Sequence, residues 1–286
     1  MELINKKENI FGDGIAFVEQ YDFSTANMSE ENRIKAITTV ASICYQNPKA
    51  IGSESLYNRL LAESHGLPSS SFEFVPVLFK IRDIMSDIVT GQIPNIFKYG
   101  EIIQIDDNFE NDVLLTNYRA LVYDVENGIL DNSILKHFNT PEECEIIKKH
   151  FKVFQYKVDL PTRSQMVRHR ISWQELSRRY VSGKRKELEF YVDEKMKKVV
   201  HCLEGEQIFN TEDCIDFCID LYNTALENGV KPERARRILP QGLYTEIWGA
   251  YQPKQLDNFF KLRLDKSAQE EIRLVAEAMK ELINEK

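Results

Sequence analysis

RHRISWQELSRRY, running from Arg168 to Tyr180, is the stretch on which the reading of this chain turns. Its thirteen residues include four arginines, one histidine, one glutamate and two serines. Arg163 precedes it and Lys184-Arg185-Lys186 follow, so positive charge is concentrated here in a chain of net charge -8. A local cationic focus on an acidic protein suits a small anion better than a long polyanion. Arginine holds phosphate through a planar two-pronged donor fork, which makes a phosphate group the first ligand predicted. On an extended backbone Arg168 and Arg170 face one side and His169 the other. Ser177, beside Arg178 and Arg179, adds a hydroxyl and successive backbone N–H groups that can cradle phosphate. Glu175, the one acid of the stretch, is either the arginines' charge partner or an acceptor for a ligand hydroxyl. Spacing alone leaves a second reading open: a solvated basic helix, or an RNA-contacting patch with Trp173 and Tyr180 as its aromatics.

Working outward, FKVFQYKV (151–158) reads as a strand leading into this stretch, and TPEECEIIKKHF before it as a helix opening at Thr140. TNYRALVYDVENG (116–128) looks helical up to Gly128, while GQIPNIFKYG (91–100) is loop-like. SSSFEFVPVLFKI (69–81) reads as a strand in which Pro76 marks an edge or a bend. Ser29 is the expected N-cap of a helix with Ile34, Ile37, Ala41 and Cys44 on one face, and a second helix runs from Ser53 to about His65 with Gly66 as its stop. Downstream, Thr211 caps a helix ending near Gly229, and Pro232 opens another carrying Arg234, Arg236 and Arg237. In the last helix Ser267 and Glu270 form a capping box, and Ile272, Val275, Met279 and Leu282 follow at helical spacing. No strand–glycine-rich turn–helix rhythm is present, which argues against a Rossmann domain.

At 286 residues, 43% hydrophobic and 10% aromatic, the chain can bury a large core and is not disordered. No apolar run approaches a membrane span, and the first residues lack the apolar core of a signal peptide, so a cytoplasmic protein is expected. Five dispersed cysteines (44, 144, 202, 214 and 218) suit reduced thiols. His201-Cys202 with Cys214 and Cys218 lacks a tight Cys-x-x-Cys pair; the reading is buried core thiols, Cys214 and Cys218 lying on the Leu221 side of their helix, and no metal.

RHRISWQELSRRY closely resembles the RHR motif of the flavin-dependent thymidylate synthases, in which RHR, seven residues and Ser-x-Arg-Tyr follow one another. Here six residues separate Arg170 from Ser177, and Gln165 stands three residues before RHR, as in the family. RARRILPQGLYTEIWGAYQPKQLDNFFKLRLDKSAQEEIR is similar to the family's C-terminal block at Arg236, Leu239-Pro240, Tyr244-Thr245, Leu256, Phe259, Leu262-Arg263, Ala268-Gln269 and Glu271-Ile272-Arg273. Gln252 and Lys254 replace its Asn-x-Arg pair. Upstream, Ser70-Ser71-Phe72-Glu73-Phe74 resembles a Ser-Pro-x-Glu-His element with Phe for His, VASICY (40–45) resembles AARVCY, and TNYRAL (116–121) resembles the insert of longer members.

That resemblance implies an α+β fold with a central, largely antiparallel sheet flanked by helices, as a single domain over 1–286 with a variable insert at about 83–150. It implies a homotetramer with active sites shared between subunits, no membrane or nucleic-acid partner, and conversion of dUMP to dTMP. Methylenetetrahydrofolate would donate the carbon, FAD the hydride, and NADPH would recharge the flavin. By resemblance, Ser70, Glu73, Arg168, His169, Arg170, Ile171, Gln252, Lys254, Asn258 and Leu262 would contact FAD. Gln165, Arg168, Glu175, Ser177, Arg178, Arg179, Arg236 and Arg263 would surround dUMP, with Arg263 and Arg168 catalytic. Two alternatives stand beside this: a related flavin-dependent pyrimidine-nucleotide methylase or hydroxymethylase, and an inactive or RNA-binding paralogue using the basic 163–186 segment.

Overall fold

The computed structural model describes residues 1–62, 67–84 and 92–285, without the side chain of Gln207. The strands are β1 (Glu2–Glu8), β2 (Phe17–Asp22), β3 (Pro76–Lys80), β4 (Glu101–Ile103), β5 (Val113–Asn117), β6 (Lys152–Asp159), β7 (Ser172–Glu175), β8 (Val200–Leu203), β9 (Glu206–Asn210) and β10 (Tyr244–Tyr251). The helices are α1 (Glu30–Tyr45), α2 (Glu54–Leu61), α3 (Ile81–Ile84), α4 (Asn95–Lys98), α5 (Tyr118–Glu126), α6 (Pro141–His150), α7 (Leu160–Met166), α8 (Thr211–Glu227), α9 (Pro232–Ala235), α10 (Pro253–Arg263) and α11 (Glu270–Asn284).

The central sheet has the order β1-β2-β6-β10-β7, and every neighbouring pair is antiparallel. Its middle strands are buried on both faces. Phe154, Tyr156, Ile247 and Tyr251 point to the face covered by α10 and α11, where they meet Phe259, Ile272, Val275 and Met279. Val153, Trp248 and Ala250 point to the other face and join a cluster with Ile37 and Val40 of α1. Alternation of side chains along each strand produces this two-sided core. The same cluster takes in Leu78, Leu115 and Leu121, so the small sheet of order β3-β5-β4, in which β4 and β5 come from the insert, is continuous with the main core. Pro76 does lie on an edge strand, where its missing N–H costs nothing.

Several local expectations are corrected. Ser70–Phe74 is a 3-10 turn instead of strand, because Phe72 packs between the rings of Tyr57 and Tyr118. Residues Asn95–Lys98, read as loop, form a helical turn whose first N–H groups donate to the buried Asp124 carboxylate. Residues 113–117, partly inside the segment read as helical, are a strand; Asn117 then caps α5. Asn210, not Thr211, caps α8. Ser267 donates to the Asp265 side chain and so makes no capping box; α11 opens after Gln269. The expected stop of the second helix at Gly66 lies outside the described residues. Cys202 and Cys214 are exposed and Cys218 is half-buried, since α8 buries Tyr222 and leaves its Cys214, Phe217 and Leu221 side to solvent.

Candidate active site

The site starts at the end of β6. Asp159 accepts from the Thr162 N–H and caps α7, with Pro161 in its first turn. After α7 the chain turns through 167–170 and enters β7, which pairs with β10. The RHR motif is therefore a tight turn and not the extended backbone expected, with the His169 N–H donating to the Met166 carbonyl at 3.0 Å. Arg168 and Arg170 are exposed while His169 is only 7% exposed and lies against Phe259, ring centroids 4.8 Å apart.

Arg263, in the last turn of α10, reaches back to this turn. Its Nε donates to His169 Nε2 at 2.8 Å, and its Nη1 and Nη2 donate to the Gln165 side-chain and main-chain oxygens at 3.2 and 2.9 Å. Gln165 Nε2 in turn donates to Gln269 at 2.5 Å. Burial first, and then the Arg263 charge, push the His169 pKa down to about 4, so its ring is neutral at pH 7 and Nε2 is free to accept. Gln165, His169 and Arg263 are thus brought together, with Arg168 beside them. Burial, and secondly Arg168, lower the pKa of Arg263; an arginine so placed remains a cation.

A second group follows β7. Glu175 is ion-paired with Arg163, so the acid of the stretch is a charge partner. The Ser177 N–H donates to the Cys44 carbonyl, and the Cys44 thiol donates to the Glu175 carbonyl at 3.0 Å. Arg179 is exposed, 3.3 Å from Glu233 of α9, and Arg236 is exposed directly after that helix. Arg178 departs from expectation. Its side chain is buried and donates to the Lys186 and Glu187 carbonyls, which staples the following loop and turns the guanidinium inward.

A cleft of about 770 Å³ opens between the insert and the start of α10. Of the residues expected at FAD, Glu73, Arg170, Ile171, Gln252 and Lys254 line it. Gln252 is buried and donates to the Tyr99 carbonyl at 2.8 Å, and Gln255 donates to the Arg170 carbonyl at 3.0 Å. The Lys254 N–H donates to Glu101 at 3.0 Å. Glu73 pairs with Arg119 at 2.5 Å. Ser70 is not on the cleft wall; it donates to Gln174, whose amide donates to the Cys44 sulfur. Asn258 and Leu262 are exposed on α10, away from the lining.

Arg119, Lys98, Tyr99 and Glu101 were missed as site residues. TNYRAL was legible as a motif, but the partnership of Arg119 with Glu73 spans 46 residues and leaves no local signal. Lys98–Glu101 lies in the insert, where no motif points to it.

An antiparallel-sheet α+β protein with an arginine-rich turn beside a deep cleft is the class defined by this geometry. Residues 132–286, just over half of the chain, match the family model Thy1, described as thymidylate synthase complementing protein, and the chain belongs to that family. It is similar to the flavin-dependent thymidylate synthases of Aquifex aeolicus (34% identical over 46% of this chain and 45% of that one) and Thermus thermophilus (32% over 56% and 61%). It is likewise similar to that of Pyrococcus furiosus (38% over 41% and 47%). The chain thus spans about half the length of the curated relatives it matches. A UMP/dUMP methylase, PolB, from Streptomyces cacaoi is similar at 24% identity and TM-score 0.37 over 46% of this chain and 67% of that one. That likeness decides nothing about the chemistry.

Proposed function

We propose that this protein is a flavin-dependent thymidylate synthase. It methylates dUMP to dTMP with methylenetetrahydrofolate as carbon donor and NADPH as the source of reducing equivalents. The observation that carries the reading is the Arg263–His169–Gln165 assembly on a turn that exposes Arg168 and Arg170, of which Arg170 lines the 770 Å³ cleft.

The cleft fits FAD. Its volume lies within the roughly 300–1,000 Å³ of small-molecule sites. Two of its lining cations, Arg170 and Lys98, have no ion pair among the described residues and suit a pyrophosphate, whereas Arg119 and Lys254 already face Glu73 and Glu101. Glu73, Arg170, Ile171, Gln252 and Lys254 would hold the cofactor, with His169 behind them fixing the turn. Ser70, bonded to Gln174, lies off this wall, and Asn258 and Leu262, exposed on α10, would serve another subunit's site in a homotetramer. When bound, FAD supplies the hydride that completes the methyl group.

The protein's own part is electrostatic. Neutral His169 and Gln165 engage three of Arg263's N–H donors and aim the remaining two outward. Those two meet the uracil carbonyl and stabilise the negative charge that builds as C5 becomes nucleophilic; Arg168 adds to the same field. Gln165, Ser177, Arg179 and Arg236 would position the nucleotide, with phosphate on Ser177 and Arg179. Glu175 acts by holding Arg163, and Arg178 by stapling the loop.

Homotetramer formation belongs to the same reading. Leu203, Phe217, Leu221, Ile208 and Phe209 form an apolar exposure on β8, β9 and α8 that suits another subunit. The five cysteines, none in a disulfide, suit the reducing cytoplasm. Trp173 packs inward against Tyr156 and Tyr251, leaving Tyr180 as the exposed aromatic of the basic stretch, which disfavours nucleic acid. Among the described residues no helix is long and apolar enough to cross a membrane.

The test is tritium release from 5-labelled dUMP with methylenetetrahydrofolate and NADPH, on protein showing a flavin absorbance spectrum. Release dependent on all three reactants is expected. A flavin-free protein that releases no tritium would overturn the assignment.

A further inference from the structure

We infer that the insert segment Lys98–Glu101 is a cofactor-binding wall of the cleft. Tyr99 would act as a stacking platform for a planar ring of the flavin nucleotide, with Lys98 as a phosphate contact. This rests on the proposed flavin reading and adds residues outside its motifs.

The wall is built before any ligand arrives. The Tyr99 N–H donates to the Asn95 carbonyl at 2.9 Å, and the Tyr99 carbonyl accepts from buried Gln252 at 2.8 Å. Gly100 sits hard against the small sheet: a Cβ there would lie 2.3 Å from the Ile96 carbonyl oxygen and 2.8 Å from Leu114 Cδ1. Only glycine fits, and that close approach fixes the residues on either side. Glu101 then enters β4 opposite Leu115, and its carboxylate accepts from the Lys254 N–H. The backbone is thus tied down at a tyrosine that is itself 62% exposed and lines the cleft.

Holding an aromatic ring in water on a rigid backbone at a cleft wall leaves its face for a flat ligand. The ordering cost of the platform is met in advance, so stacking appears in affinity. Lys98, exposed on the same wall and without an ion pair among the described residues, adds a charge for the phosphates.

The experiment is fluorescence titration of FAD into flavin-stripped full-length protein. Tyr99→Ala and Tyr99→Leu should each weaken FAD binding about 10-fold, while Tyr99→Phe stays within about 2-fold of wild type. Lys98→Ala should weaken it about 3-fold at low salt, with the difference shrinking as salt rises. Circular dichroism should be unchanged throughout, as expected for exposed side chains. Wild-type affinity in Tyr99→Ala, or an equal loss in Tyr99→Phe, would overturn the stacking role. A wild-type protein that binds no flavin would instead sink the underlying flavin reading.

Discussion

Arg263 and His169 illustrate how single residues set this site. A histidine accepting from an arginine must be neutral, and the fold enforces that by burying the ring and placing a cation beside it. In the folded protein His169 takes a proton only near pH 4, whereas in the unfolded chain it does so near 6.5. Between these values protons bind the unfolded chain preferentially. Stability from this residue is therefore fully present above about pH 6.5 and is lost as pH falls towards 4. Urea midpoints at pH 7.5 and 5 should show the drop, and His169→Gln should show a smaller one. Arg263→Gln removes the charge, so the His169 NMR titration should move upward. The same variant should weaken dUMP binding at least 10-fold, since a charge-assisted bond contributes about 1.5–3 kcal/mol; calorimetry giving unchanged affinity would count against the role. Cys44 calls for the opposite result. Its thiol is occupied with Glu175 and Gln174, so Cys44→Ser, which keeps both hydrogen-bonding capacities, should retain turnover.

At the scale of elements, the turn is presented by α7 and β7. Asp159 caps α7 from a buried position, and burial raises its pKa. Asp159→Ala should cost about 1–2 kcal/mol in urea denaturation and weaken dUMP binding, because Gln165 rides on that helix. Asp159→Asn keeps an acceptor without a buried charge and should cost clearly less. The β7–β10 pair depends on Gly249, which sits opposite Trp173. A Cβ at Gly249 would come within 2.6 Å of the Trp173 ring and 3.1 Å of Tyr251. Gly249→Ala should therefore destabilise by about 1–3 kcal/mol and shift tryptophan fluorescence, as overpacking displaces the indole that donates to the His169 carbonyl.

For the whole molecule, the exposed side of α8 and the β8–β9 hairpin are left uncovered among the described residues. Phe217 is 67% and Leu203 62% exposed, an apolar exposure that would be covered in the proposed homotetramer. Phe217→Glu combined with Leu203→Glu should shift light-scattering mass below that of a tetramer and lower activity with it. A double variant that remains a fully active tetramer would place the interface elsewhere.

What the sequence determined by itself was local. The core face of α11 follows from helical spacing, whereas the exposed–buried–exposed pattern of Arg168, His169 and Arg170 arises in a tight turn and not from the alternation of an extended backbone. Pro76 on an edge strand follows from its missing N–H. The antiparallel architecture and the association of Arg263 with the RHR turn were legible only through family resemblance, since 94 residues separate Arg263 from His169. The tertiary structure alone decided that Arg178 turns inward, that Glu175 pairs with Arg163, that Arg119 answers Glu73, and that the insert supplies a wall of the cleft. It alone showed that Cys214 is exposed and Cys218 only half-buried. Periodicity specifies which side of an element is distinct. Which partner that side meets depends on how distant elements pack, and no local spacing encodes that.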